Sequence, residues 1–283
     1  MTGRIDAHHH LWQLARGDYG WLTPKLAPIY RDFTMADLEP LLDRHQITGT
    51  ILVQAAPTEA ETTFLLEQAM TASRVRGVIG WIDFDAPDAA QRVTEVSENE
   101  LMVGLRPMIQ DIADDDWILR PALEPVFTRM AEVGLVFDAL ALPRHLERVA
   151  QIAERHPKLT IILDHLGKPG IAERDLDPWR GRIETLASYP NVHCKLSGMA
   201  TEAAPDWTVD DLRPFADHVL GRFGPARVLW GSDWPVVDLA GGYDRWWAAS
   251  EALLKDLSTS ERQAVLGGNA TSLYLKSRRK PAC

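Results

Sequence analysis

The chain has 283 residues, 46% of them hydrophobic and 25% charged, the balance of a folded domain with a buried core rather than of a disordered segment. Its formal net charge of −10 excludes a sequence-blind nucleic-acid binder, which needs a clustered basic face. Two cysteines, Cys194 inside an apolar run and Cys283 at the end, make no disulfide framework and fit a reducing cytoplasm.

No charged, apolar leader precedes the first apolar run, and no stretch of eighteen apolar residues occurs. The expectation is therefore a cytoplasmic protein that neither is exported nor enters a membrane. The basic cluster Lys276-Ser277-Arg278-Arg279-Lys280 reads as a solvated tail.

The first predicted strand is Ile5-Asp6-Ala7-His8-His9-His10, which leads straight into Leu11-Trp12 and so differs from an appended tag. Strict alternation puts Asp6, His8 and His10 on one face and Ala7 and His9 on the other. The stretch 11–33 is irregular, with Trp12, Tyr19, Trp21 and Tyr30 among the breakers Gly17, Pro24 and Pro28; a loop this long and aromatic reads as a lid. Thr34 with Asp37 marks a capped helix start, followed by Leu38, Leu41 and Leu42 at helical spacing.

A second strand is expected over 49–55, and from there apolar runs alternate with amphipathic segments. Helices are expected over 59–73, 88–99, 121–133, 144–156, 178–188 and 209–223, with strands over 77–82, 102–107, 135–141, 160–163, 192–196 and 227–230 between them. Two more helices, 243–257 and 261–266, close the chain. Nearly continuous runs such as Ile161-Ile162-Leu163 suit strands covered on both faces. Eight such strands predict one α/β domain over 1–283, a (β/α)8 TIM barrel with an aromatic-rich loop after strand one and extra C-terminal helices. A dinucleotide-binding open sheet is disfavoured, because no Gly-x-Gly-x-x-Gly follows the first strand.

Catalytic groups of such a barrel sit at the carboxyl ends of its strands. In strand order those ends carry His8 and His10, Gln54, Trp81 and Asp83, Arg106, Asp138, Asp164 with His165 and Lys168, Lys195 with Ser197, and Ser232-Asp233-Trp234. A ring of titratable groups over a barrel mouth is a candidate active site. Arg106 follows an apolar strand, where an unpaired charge is costly. Asp138 reads equally as a buried partner of Lys195, and Lys168 as a solvated turn residue. Trp12, Trp81, Trp117 and Trp234 stand where loops begin and are candidate pocket walls.

These residues resemble the amidohydrolase superfamily of metal-assisted hydrolases. The resemblance runs through Asp6-x-His8-x-His10, His165, Asp233 and Gly268-Asn269-Ala270 and covers essentially the whole chain. The segments Val136-Phe137-Asp138, Leu163-Asp164-His165-Leu166-Gly167-Lys168-Pro169, Cys194-Lys195-Leu196-Ser197-Gly198 and Gly231-Ser232-Asp233-Trp234-Pro235 are similar to its lactonase branch, which opens sugar-acid lactones. The resemblance implies a hydrolase acting on a small-molecule lactone. Asp233 would be general base and then acid, with His8, His10, His165 and Arg106 polarising the carbonyl and holding the oxyanion. Arg106, Trp12, Trp21, Gln54, Trp81, Lys168 and Trp234 would contact the substrate. His8, His10, His165 and Asp233 offer nitrogen and oxygen ligands for a single divalent metal, zinc or similar, dispensable in part of the branch. The bridging lysine or glutamate expected at strand four of two-metal members, and their histidine at strand five, are missing, which disfavours a second ion. Three alternatives stay open: a hydrolase of an aromatic or dicarboxylate lactone, a decarboxylase, and a binding barrel without catalysis.

Overall fold

Eight parallel strands pair in chain order in the computed structural model, which describes residues 3–276; Cys283 and the basic run from Ser277 onward lie outside the described residues. The strands are β1 (Arg4–His9), β2 (Ile47–Val53), β3 (Val75–Gly80), β4 (Met102–Leu105), β5 (Val136–Ala139), β6 (Ile161–Leu163), β7 (Val192–Leu196) and β8 (Val228–Trp230). The end of β8 returns to β1: the Asp233 amide donates to the His8 carbonyl at 2.8 Å, and the His10 amide to the Trp234 carbonyl at 2.7 Å. The circle is thus closed at its carboxyl end, as the TIM-barrel expectation requires.

Helices α1 (Met35–Arg44), α2 (Glu59–Thr71), α3 (Ala89–Ser97), α4 (Glu124–Val133), α5 (Leu146–Arg155), α6 (Trp179–Ala187) and α7 (Val209–Phe223) follow β1 to β7 in turn, and α8 (Gly242–Leu253) and α9 (Thr259–Gln263) come after β8. The capping box read at Thr34 with Asp37 is formed, and Thr208 with Asp211 forms a second one at the start of α7. The final helix continues past Gln263 as wider π-helical turns. Asn269 there donates to the carbonyls of Pro225 and Val228 at 2.8 and 2.7 Å, which ties the C-terminal segment to the start of β8. None of the described helices is long and apolar enough to cross a membrane.

Apolar residues of alternate strand positions fill the barrel interior. Ile5, Ala7, Ile51, Val53, Ile79, Val103, Val136, Ile162 and Leu229 pack there in one cluster, joined by Ala270 and Tyr274 from the C-terminal segment. The same parity, one pleat further toward the carboxyl ends, delivers Asp138 from β5 and Asp164 just beyond β6, while Lys195 comes from β7. Hence a charged layer sits directly on an apolar one.

One strand boundary and one face assignment differ from the sequence expectation with consequences for function. The second strand ends at Val53 rather than residue 55, because the amides of Ala55 and Ala56 turn to a side chain, that of Glu61. The face assignment on β1 also needs correction. A register shift lies between Asp6 and His9, so Ala7 packs inside the barrel whereas Asp6 turns away, accepting from the Ser232 amide at 2.8 Å and the Tyr243 hydroxyl at 3.2 Å. Asp6 therefore staples β8 to β1 and does not share a face with His8 and His10.

Candidate active site

The left-handed backbone of Asp233, φ 58°, turns its carboxylate back over the barrel after β8. There the Asp233 Oδ1 lies 3.4 Å from His10 Nε2, 3.6 Å from His8 Nε2 and 4.0 Å from His165 Nε2. Close approach of β8 to β1 depends on Gly231, where a Cβ would come within 2.6 Å of the His8 Cβ. Gly198 does the same for His165, whose ring a Cβ there would meet at 2.4 Å. His165 itself takes a left-handed φ of 52°, and its Nδ1 is 2.9 Å from the Ser197 hydroxyl.

Hydrogen bonds set the imidazole tautomers. His10 Nδ1 donates to the Val53 carbonyl at 2.8 Å, leaving its Nε2 lone pair aimed at His8 Nε2, 3.2 Å away. A ring nitrogen fixed from behind in this manner is the usual support of a metal-binding histidine. The three atoms His8 Nε2, His10 Nε2 and Asp233 Oδ1 thus form a triangle with edges of 3.2, 3.4 and 3.6 Å. Metal–ligand bonds of about 2.0–2.1 Å in a tetrahedral site put neighbouring donor atoms about 3.3 Å apart. The donor set and its spacing fit one divalent cation, with His165 at the edge of the set.

Beneath this triangle lies a closed ionic network. Lys195 Nζ reaches Asp138, Asp164 at 2.9 Å and His8 Nδ1 at 3.3 Å. Arg106 Nη1 reaches Asp164 and His8 Nε2, both at 3.3 Å, and its Nη2 donates to the Gln54 carbonyl. Tyr274 donates to Asp138 at 3.0 Å. All of these residues are buried, where a charge must be paired.

Electrostatics follow from this packing. Burial pushes His165 down to about 4 and holds His8 well below its ordinary value, so both are neutral at pH 7 and offer lone pairs. Burial opposes ionisation of Asp233, but the polar surroundings made by the His165, His10 and His8 rings outweigh it and keep the carboxyl below the usual range. Asp164 stays low in the same way, with Lys195 first among its stabilisers against burial. Burial pushes Asp138 up to about 6 against the pull of the shared Lys195.

A cavity of about 190 Å³ opens over the cluster, lined among others by His10, Arg106, His165, Asp233, Trp21 and Lys168. Its remaining wall includes Ala55, Met108, Gln110, Leu140, Thr201 and Val236. A larger groove of about 710 Å³ beside Arg174 and Phe215 shares no lining residue with it. Of the residues expected at the substrate, Arg106, Trp21 and Lys168 reach the cavity and four do not. Trp12 is fully buried under the lid, with ring centroids 5.5 Å from both Trp21 and Phe33. Gln54 is spent on the Arg106 carbonyl at 2.6 Å. Trp81 is held through its peptide by the Thr62 hydroxyl, and Trp234 packs on Phe33. His8 is fully buried too and lies behind the cavity wall, facing His10. Met108, Gln110, Leu140, Thr201 and Val236 went unread in the sequence, because loop residues carry no periodic signal that says which way they face.

The amidohydrolase family profile matches residues 5–276. The L-fucono-1,5-lactonase of Burkholderia ambifaria is 44% identical over 278 residues, 97% of this chain and 96% of its own length. That of Burkholderia multivorans is 38% identical over 96% of this chain and 95% of its own length. An amidohydrolase from Burkholderia multivorans, solved with bound zinc, superposes with a TM-score of 0.90 at 37% identity, covering 96% of this chain and 98% of its own.

Proposed function

The chain belongs to the amidohydrolase family, and on that premise we propose that it hydrolyses a neutral sugar-acid lactone to the free acid, with L-fucono-1,5-lactone, named for its Burkholderia relatives, the first candidate. The observation that carries this reading is the Asp233 carboxylate beside neutral imidazoles at a cavity of about 190 Å³. That volume is below the roughly 300–1,000 Å³ of sites for drug-sized ligands, so one small ring fills it.

In the proposed reaction Asp233 takes a proton from the attacking water as its oxygen bonds to the lactone carbonyl carbon. Arg106 and His165, both at the cavity, stabilise the tetrahedral oxyanion. Collapse breaks the bond from the acyl carbon to the ring oxygen, and Asp233 returns the proton to the departing alkoxide. His10, fixed by the Val53 carbonyl, stands 3.4 Å from Asp233 as a fellow ligand for a cation. The ionic layer of Lys195, Asp138 and Asp164 holds His8 in place beneath. A divalent cation held by His8, His10 and Asp233, with zinc the ion bound in the Burkholderia relative, supplies Lewis-acid polarisation of the carbonyl when bound. Trp21 gives an apolar face for the sugar ring.

Charge balance favours a neutral substrate over a dicarboxylate. Lys168 is paired with Glu202 at 3.2 Å and Arg106 with Asp164 at 3.3 Å, while Asp111 lines the wall; no surplus cation is left among the described cavity residues for a second carboxylate. The test is acid release from a panel of aldonolactones and dicarboxylate lactones, followed with a pH indicator. Turnover of aldonolactones alone is the expected result; preference for a dicarboxylate, or turnover of none, overturns the reading.

A further inference from the structure

Glu61 stands at the third position of α2, three residues after the cap Thr58. There a glutamate ordinarily bonds the amide of the cap residue. Here that amide goes elsewhere, to the Ala56 carbonyl at 3.0 Å. The Glu61 carboxylate, fully buried, instead reaches back past the cap to two consecutive peptide groups beyond β2. Its Oε1 accepts from the Ala55 amide at 3.0 Å and its Oε2 accepts from the Ala56 amide.

The Ala55 carbonyl, on the far side of the held peptide units, accepts from Trp21 Nε1 at 2.7 Å. Ala55 and Trp21 both line the cavity over the barrel mouth. The same helix start holds the lid a second time. Thr58 Oγ1 accepts from the Glu61 amide at 3.1 Å and donates to Asp18 Oδ2 at 3.0 Å. Asp18 in turn pairs with Arg16 at 2.6 Å, and the Arg16 guanidinium rests 4.6 Å from the Phe64 ring centre, on α2. The Glu61 bonds satisfy two backbone amides at the end of β2, and through the Ala55 carbonyl and Thr58 the same helix start is tied to the lid.

We infer that Glu61 is a positioning residue for substrate binding, holding the Ala55–Ala56 peptides so that the Ala55 carbonyl fixes the Trp21 indole over the barrel mouth. Trp21 touches bound lactone equally before and during the reaction, so its loosening raises KM and leaves kcat nearly alone. The inference rests on the lactonase reading only for the substrate used in the kinetic arm.

The experiment is a double-mutant cycle of E61Q and W21F. E61Q turns one carboxylate oxygen into a donor facing a backbone amide, and W21F keeps an aromatic ring while removing the indole N–H. Each single variant should raise KM roughly tenfold, the order of one lost hydrogen bond, with kcat within about twofold. The double variant should be no worse than the weaker-binding single, because both act on one contact. Acrylamide quenching of tryptophan fluorescence needs no substrate: E61Q should increase the quenchable fraction, and the increase should vanish in the W21F background. Multiplying KM effects, or quenching unchanged by E61Q, overturns the inference even if the lactone reading stands. If no lactone is turned over, the quenching arm still decides. Should E61Q not fold, E61D keeps a carboxyl group on a side chain one methylene shorter and replaces it in the same cycle.

Discussion

Replacing Asp233 by asparagine removes a base while changing little else. The left-handed φ of 58° at this position is one that asparagine adopts as readily as aspartate, and the side chains are nearly the same size. The new amide N–H can donate to His10 Nε2, now 3.4 Å from Asp233 Oδ1, since His10 Nδ1 is already committed to the Val53 carbonyl. The fold should therefore survive, with an unchanged circular dichroism spectrum. Turnover should fall by about 10²–10⁴-fold, the span of general-base contributions, which corresponds to about 2.7–5.4 kcal/mol of barrier. Hydroxide can replace the lost base, so after subtraction of spontaneous lactone hydrolysis the variant's rate should climb nearly tenfold per pH unit above neutrality. The wild-type rate should stay level there, and its acid limb should fall below the ordinary carboxylate range, because the neighbouring histidines hold Asp233 ionised against its burial. Near wild-type turnover in a folded variant, or a flat pH profile after a large loss, would falsify the assignment of Asp233 as general base.

His9 is fully buried and neither ring nitrogen has a hydrogen-bond partner; burial, with the neighbouring His10 ring, pushes it down to about 3. The unfolded chain binds that proton first, so His9 lowers stability as pH falls from about 6.5 toward 3, by up to about 1.4 kcal/mol per pH unit. His9→Leu should flatten this part of the stability curve in urea titrations and leave kcat within about twofold; an unchanged acid slope refutes the burial argument. Trp12→Ala should cost about 3–5 kcal/mol as a large core truncation, read as a lower melting temperature by calorimetry, and a shift of a degree or less would place Trp12 outside the lid core. Purified protein should hold about one divalent ion per chain, measured by plasma mass spectrometry, and His10→Ala should lose it, because the triangle of His8, His10 and Asp233 then has only two corners. Full occupancy in that variant would move the metal to other residues.

The barrel was legible in the sequence because its signal is local. Runs such as Ile161-Ile162-Leu163 and the cap at Thr34 mark strand and helix within a few residues, and eight such units in alternation leave few topologies. Much of the site was legible for the same reason: in this fold the carboxyl end of a strand is the mouth, so His10, Arg106, His165 and Asp233 are expected together from the sequence alone. Which side chains face the substrate was decided elsewhere. The shift in register between Asp6 and His9 depends on how β1 pairs with β2, and such a shift reverses the faces on its far side; alternation alone put Asp6 with the histidines. Trp12 and Trp21 are equally aromatic in sequence, yet one is buried under the lid and the other lines the cavity, because only Trp21 finds the Ala55 carbonyl. Glu61 reads as an ordinary helix-start residue until its carboxylate meets amides five and six residues earlier. Pairing register, loop orientation and the reach of a buried carboxyl group are set by atoms on other segments, so they exist only once the chain has closed on itself.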